Sequence, residues 1–161
     1  MLRLVEPRDH AAVHALVTAA FGQADEAGLV DSLRRDGDLV IETLAEDPDG
    51  AIVGHVALSR MQAPFRALAL APVSVRPDRQ NQGVGQAVTR AALGWAAQDR
   101  WDGVFVLGEP AYYGRFGFQL EAARGFASPY AGEHFMLLAL TPPLPALSGP
   151  VVHAPAFAAL G

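Results

Sequence analysis

A polar loop that carries two glycines, Gln80-Asn81-Gln82-Gly83-Val84-Gly85, follows an apolar run and precedes a helical pattern. The first amides of a helix have no partners within the helix, and the helix dipole adds partial positive charge at the same place. Glycines at 83 and 85 allow the backbone to approach a ligand without a clash at Cβ. Such a junction can hold a pyrophosphate mostly with N–H groups, and Arg79 or Arg76 would add positive charge beside it.

Two glycines in a loop also have a simpler interpretation, in which they only shape a tight turn between a strand and a helix. Other phosphate-binding motifs fit less well. The loop does not match a dinucleotide-binding fingerprint, because Val88 stands where the third glycine belongs. It also lies in mid-chain rather than after the first strand. A Walker-type loop is excluded because it needs a lysine and all twelve basic residues are arginine.

Composition indicates a globular protein, and we expect a single domain over residues 1–161 with a proline-rich C-terminal extension from about residue 142. A net charge of −5 argues against a general nucleic-acid or anionic-membrane binder. Without cysteine there is no disulfide or thiolate metal site, and no His, Asp or Glu spacing suits another metal. Because Met1–Pro7 does not read as a signal peptide and no apolar run could span a membrane, we expect a cytoplasmic location.

The first half of the chain predicts two helices and three strands. Leu2–Val5 is a short apolar strand, and Pro7 then begins a helix that continues to Ala20. Asp25 is the expected N-cap of a second helix, which Asp36-Gly37-Asp38 ends. The strands Leu39–Leu44 and Ala51–Arg60 are joined by a turn and should pair in antiparallel fashion.

The glycine loop lies inside a strand–helix–strand unit. Its first strand is Leu68–Val75, in which Pro72 favours a bulge or an edge position. The helix should bury Val84, Val88, Ala92 and Trp95, and the second strand is Gly103–Leu107. Such a unit makes its two strands parallel. The fold class is therefore α/β, a mixed and mostly antiparallel sheet with one parallel pair and helices on both faces.

An aromatic segment, Tyr112-Tyr113-Gly114-Arg115-Phe116-Gly117-Phe118, follows the second parallel strand. Ligands of open α/β sheets bind outside the carboxyl ends of the strands, so the glycine loop and this segment should lie at the same end. Phe116 and Phe118 are interpreted as core residues. Phe135–Leu140 is the last strong strand before the proline-rich tail.

Together these phrases resemble the GCN5-related N-acetyltransferase (GNAT) family, and they are most similar to its YhbS-like branch. The resemblance extends over nearly the whole chain, and it rests on the order and spacing of the phrases. They are Ala71-Pro72-Val73-Ser74-Val75-Arg76-Pro77, Gln80-x-x-Gly83-x-Gly85, Leu107-Gly108-Glu109-Pro110, Tyr113-Gly114-Arg115-Phe116-Gly117-Phe118, Gly149-Pro150-Val151 and Ala156-Phe157.

The resemblance implies a binding mode for acyl-CoA, with acetyl-CoA as the expected co-substrate. The two parallel strands would splay apart, and the pantetheine arm would bond to the backbone of Val73, Ser74 and Val75. The pyrophosphate would lie on the amides of Gln80, Asn81, Gln82, Gly83, Val84 and Gly85, beside Arg79. Many family members have an asparagine after the second strand, where this sequence has Glu109-Pro110.

Acyl transfer to an amine needs a neutral amine, a stabilised carbonyl oxygen and a thiolate that can leave. Tyr113 matches the family position that steadies the departing sulfur. Candidates for the base are Glu26, at the start of the second helix, and His55, on a central strand; His134 or a chain of waters are alternatives. Glu26 could equally be a carboxylate favoured by the helix dipole, and His55 a hydrogen-bonded core residue.

The predicted function is N-acetyl transfer to a primary amine by direct attack in a ternary complex. The alternative is a catalytically silent module that senses acyl-CoA. Asp25, Glu26 and Asp31 suggest a cationic acceptor, although a solvated helix face explains them as well. The chain could be a monomer or a homodimer.

Overall fold

The structure, a computed structural model, describes residues 1–160. The chain forms two compact units. The first contains residues 1–59, 71–95 and the C-terminal residues from Pro155, and the second contains residues 60–70 and 96–154. The strands β3 (Ile52–Met61) and β4 (Ala67–Val75) and the helix α3 (Val84–Gln98) contribute to both.

The first unit combines three helices with antiparallel strands. Its other elements are β1 (Leu2–Leu4), a 3-10 turn at Pro7–Asp9, α1 (His10–Phe21), α2 (Asp25–Arg35) and β2 (Leu39–Glu46). Strand β2 pairs in antiparallel fashion with β1 and with β3, and Leu44 lies opposite His55 in the second of these ladders. The predicted antiparallel pair is therefore confirmed, and β4 follows β3 in the strand order.

Helices cover both faces of these strands. The hydroxyl of Thr43 on β2 donates a hydrogen bond of 2.8 Å to the carbonyl of Val88 in α3. The preceding residue, Glu42, accepts a hydrogen bond of 2.7 Å from Arg34 in α2. Because successive strand residues point to opposite faces, α2 and α3 lie on opposite sides of the sheet, as predicted.

The second unit contains the parallel pair. Its elements are β5 (Gly103–Leu107), α4 (Pro110–Tyr113) with a 3-10 turn at Gly114–Phe116, α5 (Leu120–Ala123), β6 (Phe126–Ala127), β7 (Phe135–Ala139) and β8 (Gly149–Pro150). The start of β4 runs parallel to β5, as predicted, and β5 pairs in antiparallel fashion with β7. The aromatic core includes Phe105, whose ring stacks on Phe135 at 5.3 Å and meets the edge of Phe126 at 5.5 Å.

Two predictions about the helices were wrong. Ala24, not Asp25, is the N-cap of α2, and Asp25 lies in the first turn, where the helix dipole favours its carboxylate without a capping hydrogen bond. Trp95 was expected on the buried side of α3, but it is 41% exposed. Ala96, four residues after the buried Ala92, occupies the core instead, because the buried stripe follows the spacing of four there.

The proline-rich segment after β7 is mostly exposed, and three buried apolar residues anchor it. The sequence did not predict the short strands β6 and β8. Val151 and Ala154 are buried in the second unit, and Phe157 is buried in the first. Among residues 1–160 no helix is both long and apolar enough to cross a membrane.

Candidate active site

The parallel ladder between β4 and β5 is short. It runs from Ala67 opposite Gly103 to Ala69 opposite Phe105, although β4 itself continues to Val75. Pro72, which was expected at a bulge or an edge, lies on an interior strand of the sheet but beyond the last residue that pairs with β5. It is accommodated because it comes after the end of this ladder, where no N–H is required for pairing with β5.

The predicted phosphate loop forms the junction between β4 and α3. A 3-10 turn at Pro77–Arg79 leads into the exposed residues 80–83, and α3 begins at Val84. The first helical hydrogen bond runs from Ala87 N–H to the carbonyl of Gly83 at 3.0 Å. The amides of residues 84–86 therefore precede the first helical donor, and they are the groups that a helix leaves for a ligand.

Gly83 is required for its backbone conformation. Its φ is +83°, in the left-handed region, and a Cβ built there would meet nothing within 4 Å. The turn itself therefore requires glycine here, and the expectation that the residue avoids a Cβ clash with a ligand stays a prediction. Asn81 has a φ of +63°, a conformation that asparagine tolerates better than most residues.

The two arginines near the loop are each paired with a carboxylate. Arg79 forms an ion pair with Asp47, which lies in the turn between β2 and β3. Arg76 binds Asp78 with hydrogen bonds of 2.6 and 3.2 Å. The positive charge expected from these side chains is thus largely offset, which leaves the helix amides as the main groups of the loop that carry uncompensated positive charge. Asp47 had not been identified from the sequence, because its partner lies 32 positions further along the chain.

Tyr113 ends α4 and is half-buried in an aromatic cluster. Its ring centroid lies 4.9 Å from that of Tyr112 and 5.8 Å from that of Phe118. The ring packs directly over Gly108, where any Cβ would overlap it. Burial, with a smaller contribution from Tyr112, raises the pKa of Tyr113 to about 12. The hydroxyl is therefore protonated at neutral pH and can act as a hydrogen-bond donor.

The residues around the end of β5 bring His134, an alternative candidate for the base, close to Glu109. The N–H of Gly108 donates to the carbonyl of His134 at 2.9 Å. The side chain of His134 lies 3.9 Å from the carboxylate of Glu109, and both side chains are exposed. The resemblance had placed Glu109 where an asparagine was expected, and in the structure its carboxylate faces the imidazole of His134.

His55 lies in a buried charge network. Its side chain is completely buried, and Nε2 lies 2.9 Å from Glu42 Oε1, which also accepts a hydrogen bond of 2.7 Å from Arg34. Burial by itself would raise the pKa of Glu42, but the hydrogen bond and charge of His55, together with Arg34, outweigh it and lower that pKa. Glu42 is therefore ionised at neutral pH. Sequence analysis missed Glu42, although a lone carboxylate in an apolar strand was a possible signal.

Glu26 lies apart from this network. It is half-buried in the first turn of α2 and accepts a hydrogen bond of 3.1 Å from Gln23. Arg34, the partner of Glu42, is in the last turn of the same helix, which at 1.5 Å per residue places it about 12 Å further along the axis. The structure therefore does not bring Glu26 and His55 together. In residues 1–160 no group of three or more His, Asp or Glu side chains is arranged to hold a metal ion.

A family model described as an acetyltransferase (GNAT) domain matches residues 39–120, more than half of the chain. The chain therefore belongs to the GNAT family of acetyltransferases. It is 33% identical over 125 residues to the uncharacterised N-acetyltransferase YhbS of Escherichia coli strain K12, a match that covers 76% of this chain and 75% of YhbS. It is also 33% identical over 136 residues to the uncharacterised N-acetyltransferase YjhQ of the same strain.

Solved structures of two relatives contain the coenzyme. The structure of E. coli YhbS in complex with CoA superposes with a TM-score of 0.93 and 29% identity, covering 100% of this chain and 93% of YhbS. A GNAT acetyltransferase from Brucella melitensis in complex with acetyl-CoA superposes with a TM-score of 0.83 and 32% identity, covering 98% of this chain and 97% of that one.

Proposed function

We propose that the protein transfers an acetyl group from acetyl-CoA to a primary amine by direct attack within a ternary complex. The observation that carries the proposal is the junction between β4 and α3. Gly83 at positive φ turns the chain so that an exposed loop meets the free amides at the start of α3. This arrangement suits a pyrophosphate, and two similar solved structures hold CoA or acetyl-CoA.

In this proposal the coenzyme runs along the end of β4. The pantetheine arm bonds to the backbone of Val73, Ser74 and Val75, which lie beyond the last residue of the ladder with β5. The pyrophosphate lies on the amides of residues 80–85, which include Gln80, Asn81, Gln82, Val84 and Gly85 beside Gly83. Arg79 contributes only when it leaves Asp47.

Tyr113 acts on the leaving group. Its pKa of about 12 is well above the value of roughly 8.5 for a free thiol, so complete proton transfer to the thiolate is uphill. The hydroxyl therefore stabilises the developing thiolate as a hydrogen-bond donor. The proton that CoA finally carries comes from the nitrogen of the amine after the C–N bond has formed.

The coenzyme site is tested by calorimetric titration with acetyl-CoA. Gly83→Asp adds a negative charge at the loop, and Gly83→Asn is its matched control, because both side chains have the same size and tolerate positive φ. We expect Gly83→Asp to abolish saturable binding and Gly83→Asn to weaken it by about tenfold or less, a cost of roughly 1 kcal/mol for residual strain.

A second control separates the loop from a general effect of charge. Gly22 ends α1 at a φ of +70°, also in open space, so Gly22→Asp should bind acetyl-CoA like the wild type. Normal binding by Gly83→Asp would disprove the assignment of the loop.

Turnover is tested by thiol release with a panel of primary amines: spermidine, glucosamine, amino acids and a peptide with a free N-terminus. Release that depends on an amine supports the enzyme. Saturable acetyl-CoA binding without release from any amine would favour the silent, coenzyme-sensing alternative. We also propose that the protein is cytoplasmic and works as a monomer or homodimer. It would need no metal, and neither a membrane nor nucleic acid would be its partner.

A further inference from the structure

The start of α3 lies directly on Gly54 of β3. A Cβ built on this buried glycine would overlap Cγ1 of Val84, and it would lie 3.4 Å from Cγ1 of Val88 and 3.6 Å from Cβ of Ala45. The φ of Gly54 is outside the left-handed region, so its backbone conformation is open to other residues. Glycine is therefore needed here for the space that it leaves, which lets the helix approach the strand closely.

The neighbours of Gly54 have little room to give way. Val84 and Val88 are β-branched residues of a helix, where such a side chain strongly prefers one rotamer. The carbonyl of Val88 is also held, because the hydroxyl of Thr43 on β2 donates to it at 2.8 Å. Ala45, directly opposite Gly54 in the ladder of β2 and β3, is buried as well. An added methyl group would therefore push the first turn of α3 away from the sheet.

The loop that precedes α3 is held by the same two strands. Arg76 N–H donates at 2.9 Å to the carbonyl of Val53 on β3. Arg79 forms its ion pair with Asp47, in the turn between β2 and β3. Between these ties and the start of α3, residues 80–83 are exposed. The position of the amides at the start of the helix therefore depends on how the two ends of the loop are held.

We propose that Gly54 is a positioning residue for acetyl-CoA binding. The space that it leaves lets Val84 rest on β3 and fixes the amides of residues 84–86 where they can bind the pyrophosphate. The inference rests on the proposed function, because the ligand of these amides is the coenzyme proposed above. A binding site gains affinity when it has its bound geometry before the ligand arrives, and that geometry must be kept to within roughly 0.5 Å.

Gly54→Ala should weaken the binding of acetyl-CoA without slowing the chemical step. The start of α3 should move by about 1 Å, which restores ordinary carbon contacts of about 3.5–4.0 Å. Since this exceeds the tolerance of the site, Kd and KM for acetyl-CoA should each rise by about tenfold or more. The variant changes no group that acts on the thioester, so kcat at saturating acetyl-CoA should stay within about twofold of wild type. A merely structural loss would lower the amount of folded protein, and so the apparent kcat, at unchanged KM.

Gly103→Ala is the matched control. Gly103 is another buried and crowded strand glycine, whose Cβ would lie 3.1 Å from Cδ1 of Leu137 and 3.2 Å from a ring carbon of Phe65. It belongs to the second unit, whereas the loop and the start of α3 belong to the first. We expect this variant to lose stability through overpacking and to bind acetyl-CoA within about twofold of wild type.

Removal of the obstructing methyl group should rescue the variant. In Val84→Ala the amide of residue 84 remains but Cγ1 is gone, so adding Gly54→Ala to this background should change Kd by less than about twofold. The comparison is a double-mutant cycle, measured by calorimetric titration with urea unfolding of each protein. If Gly54→Ala is too unstable to titrate, all members of the cycle are prepared with Gly94→Ala, because alanine stabilises the interior of α3.

The wild-type titration comes first, because a protein that does not bind acetyl-CoA would refute the proposed function and with it the ligand of these amides. Once wild-type binding is measured, two results would overturn the role of Gly54. Unchanged affinity in Gly54→Ala would mean that Val84 turns aside without moving the loop. An equal loss of affinity in the Val84→Ala background would mean that the contact between these two residues is not its cause.

Discussion

Replacement of Gly108 by alanine should displace the ring of Tyr113 and slow acetyl transfer. The new Cβ would come within 2.8 Å of Cδ2 of Tyr113 and nearer still to Cε2. Since carbon atoms in contact are normally about 3.5–4.0 Å apart, the ring must move by roughly 1 Å. Tyr112 and Phe118 limit that movement because both rings already pack against Tyr113.

The displacement has two measurable consequences. Overpacking of this kind lowers the free energy of unfolding by about 1–3 kcal/mol. A catalytic group misplaced by 1 Å can lose about 100-fold in rate, so kcat should fall by 10- to 100-fold. The affinity for acetyl-CoA should hardly change, because the proposed binding groups lie on β4 and α3.

The assay compares three variants by thiol release at saturating acetyl-CoA, by calorimetric Kd and by urea unfolding. Tyr113→Phe keeps the ring and removes only the hydroxyl, so it should lower kcat at nearly unchanged stability. Gly94→Ala is the control, because Gly94 is in the interior of α3 and its added Cβ would meet nothing within 4 Å; alanine should stabilise the helix by about 0.5–1 kcal/mol. If Gly108→Ala retained the wild-type kcat while Tyr113→Phe lost it, the position of the ring would not control the rate.

Two further predictions concern ion pairs of the first unit. Arg3 binds Asp9 with hydrogen bonds of 2.7 and 2.9 Å, and these bonds, against a smaller opposing effect of burial, lower the pKa of Asp9 from 3.8 to about 2. This carboxylate should therefore contribute roughly 2 kcal/mol to stability above pH 4 and lose it between pH 4 and 2. Urea unfolding should show a gap between wild type and Asp9→Asn that narrows over that range; a constant gap would contradict the linkage. Asp47→Asn should release Arg79 toward the pyrophosphate and tighten acetyl-CoA binding by up to about fivefold, as expected for one half-buried ion pair near the surface. Weaker binding in the titration would mean that Asp47 orients Arg79 rather than competing for it.

Local pattern predicted most of the fold. The strand Gly103–Leu107 has the predicted bounds, and the other main strands and helices begin and end within two or three residues of the expected positions. Periodicity and turn residues act over a few neighbouring positions, so a single sequence contains that information. The pattern gave a wrong prediction at Trp95. The spacing of this residue from Val88 and Ala92 is compatible with burial, but the packing of α3 leaves its side chain partly exposed.

The chemical motifs could be found for the same reason. The glycine loop and the Tyr113 segment are short stretches, and the role proposed for each depends on consecutive residues. The buried contact between His55 and Glu42 could not be found in this way. His55 and Glu42 are 13 positions apart and meet only through the register of β2 on β3, and a shift of one residue would have sent either side chain to the opposite face.

The sequence by itself thus determined the family and the mixed sheet with its parallel pair, and it located the segments proposed to bind acyl-CoA. Tertiary structure alone decided three pairings between residues far apart in the sequence: Asp47 with Arg79, Glu42 with His55, and Arg34 with Glu42. It also decided that Gly108 makes room for Tyr113. The physical reason is that backbone conformation depends mainly on neighbouring residues, whereas the proton affinity and orientation of a side chain depend on groups that only the packed chain brings near.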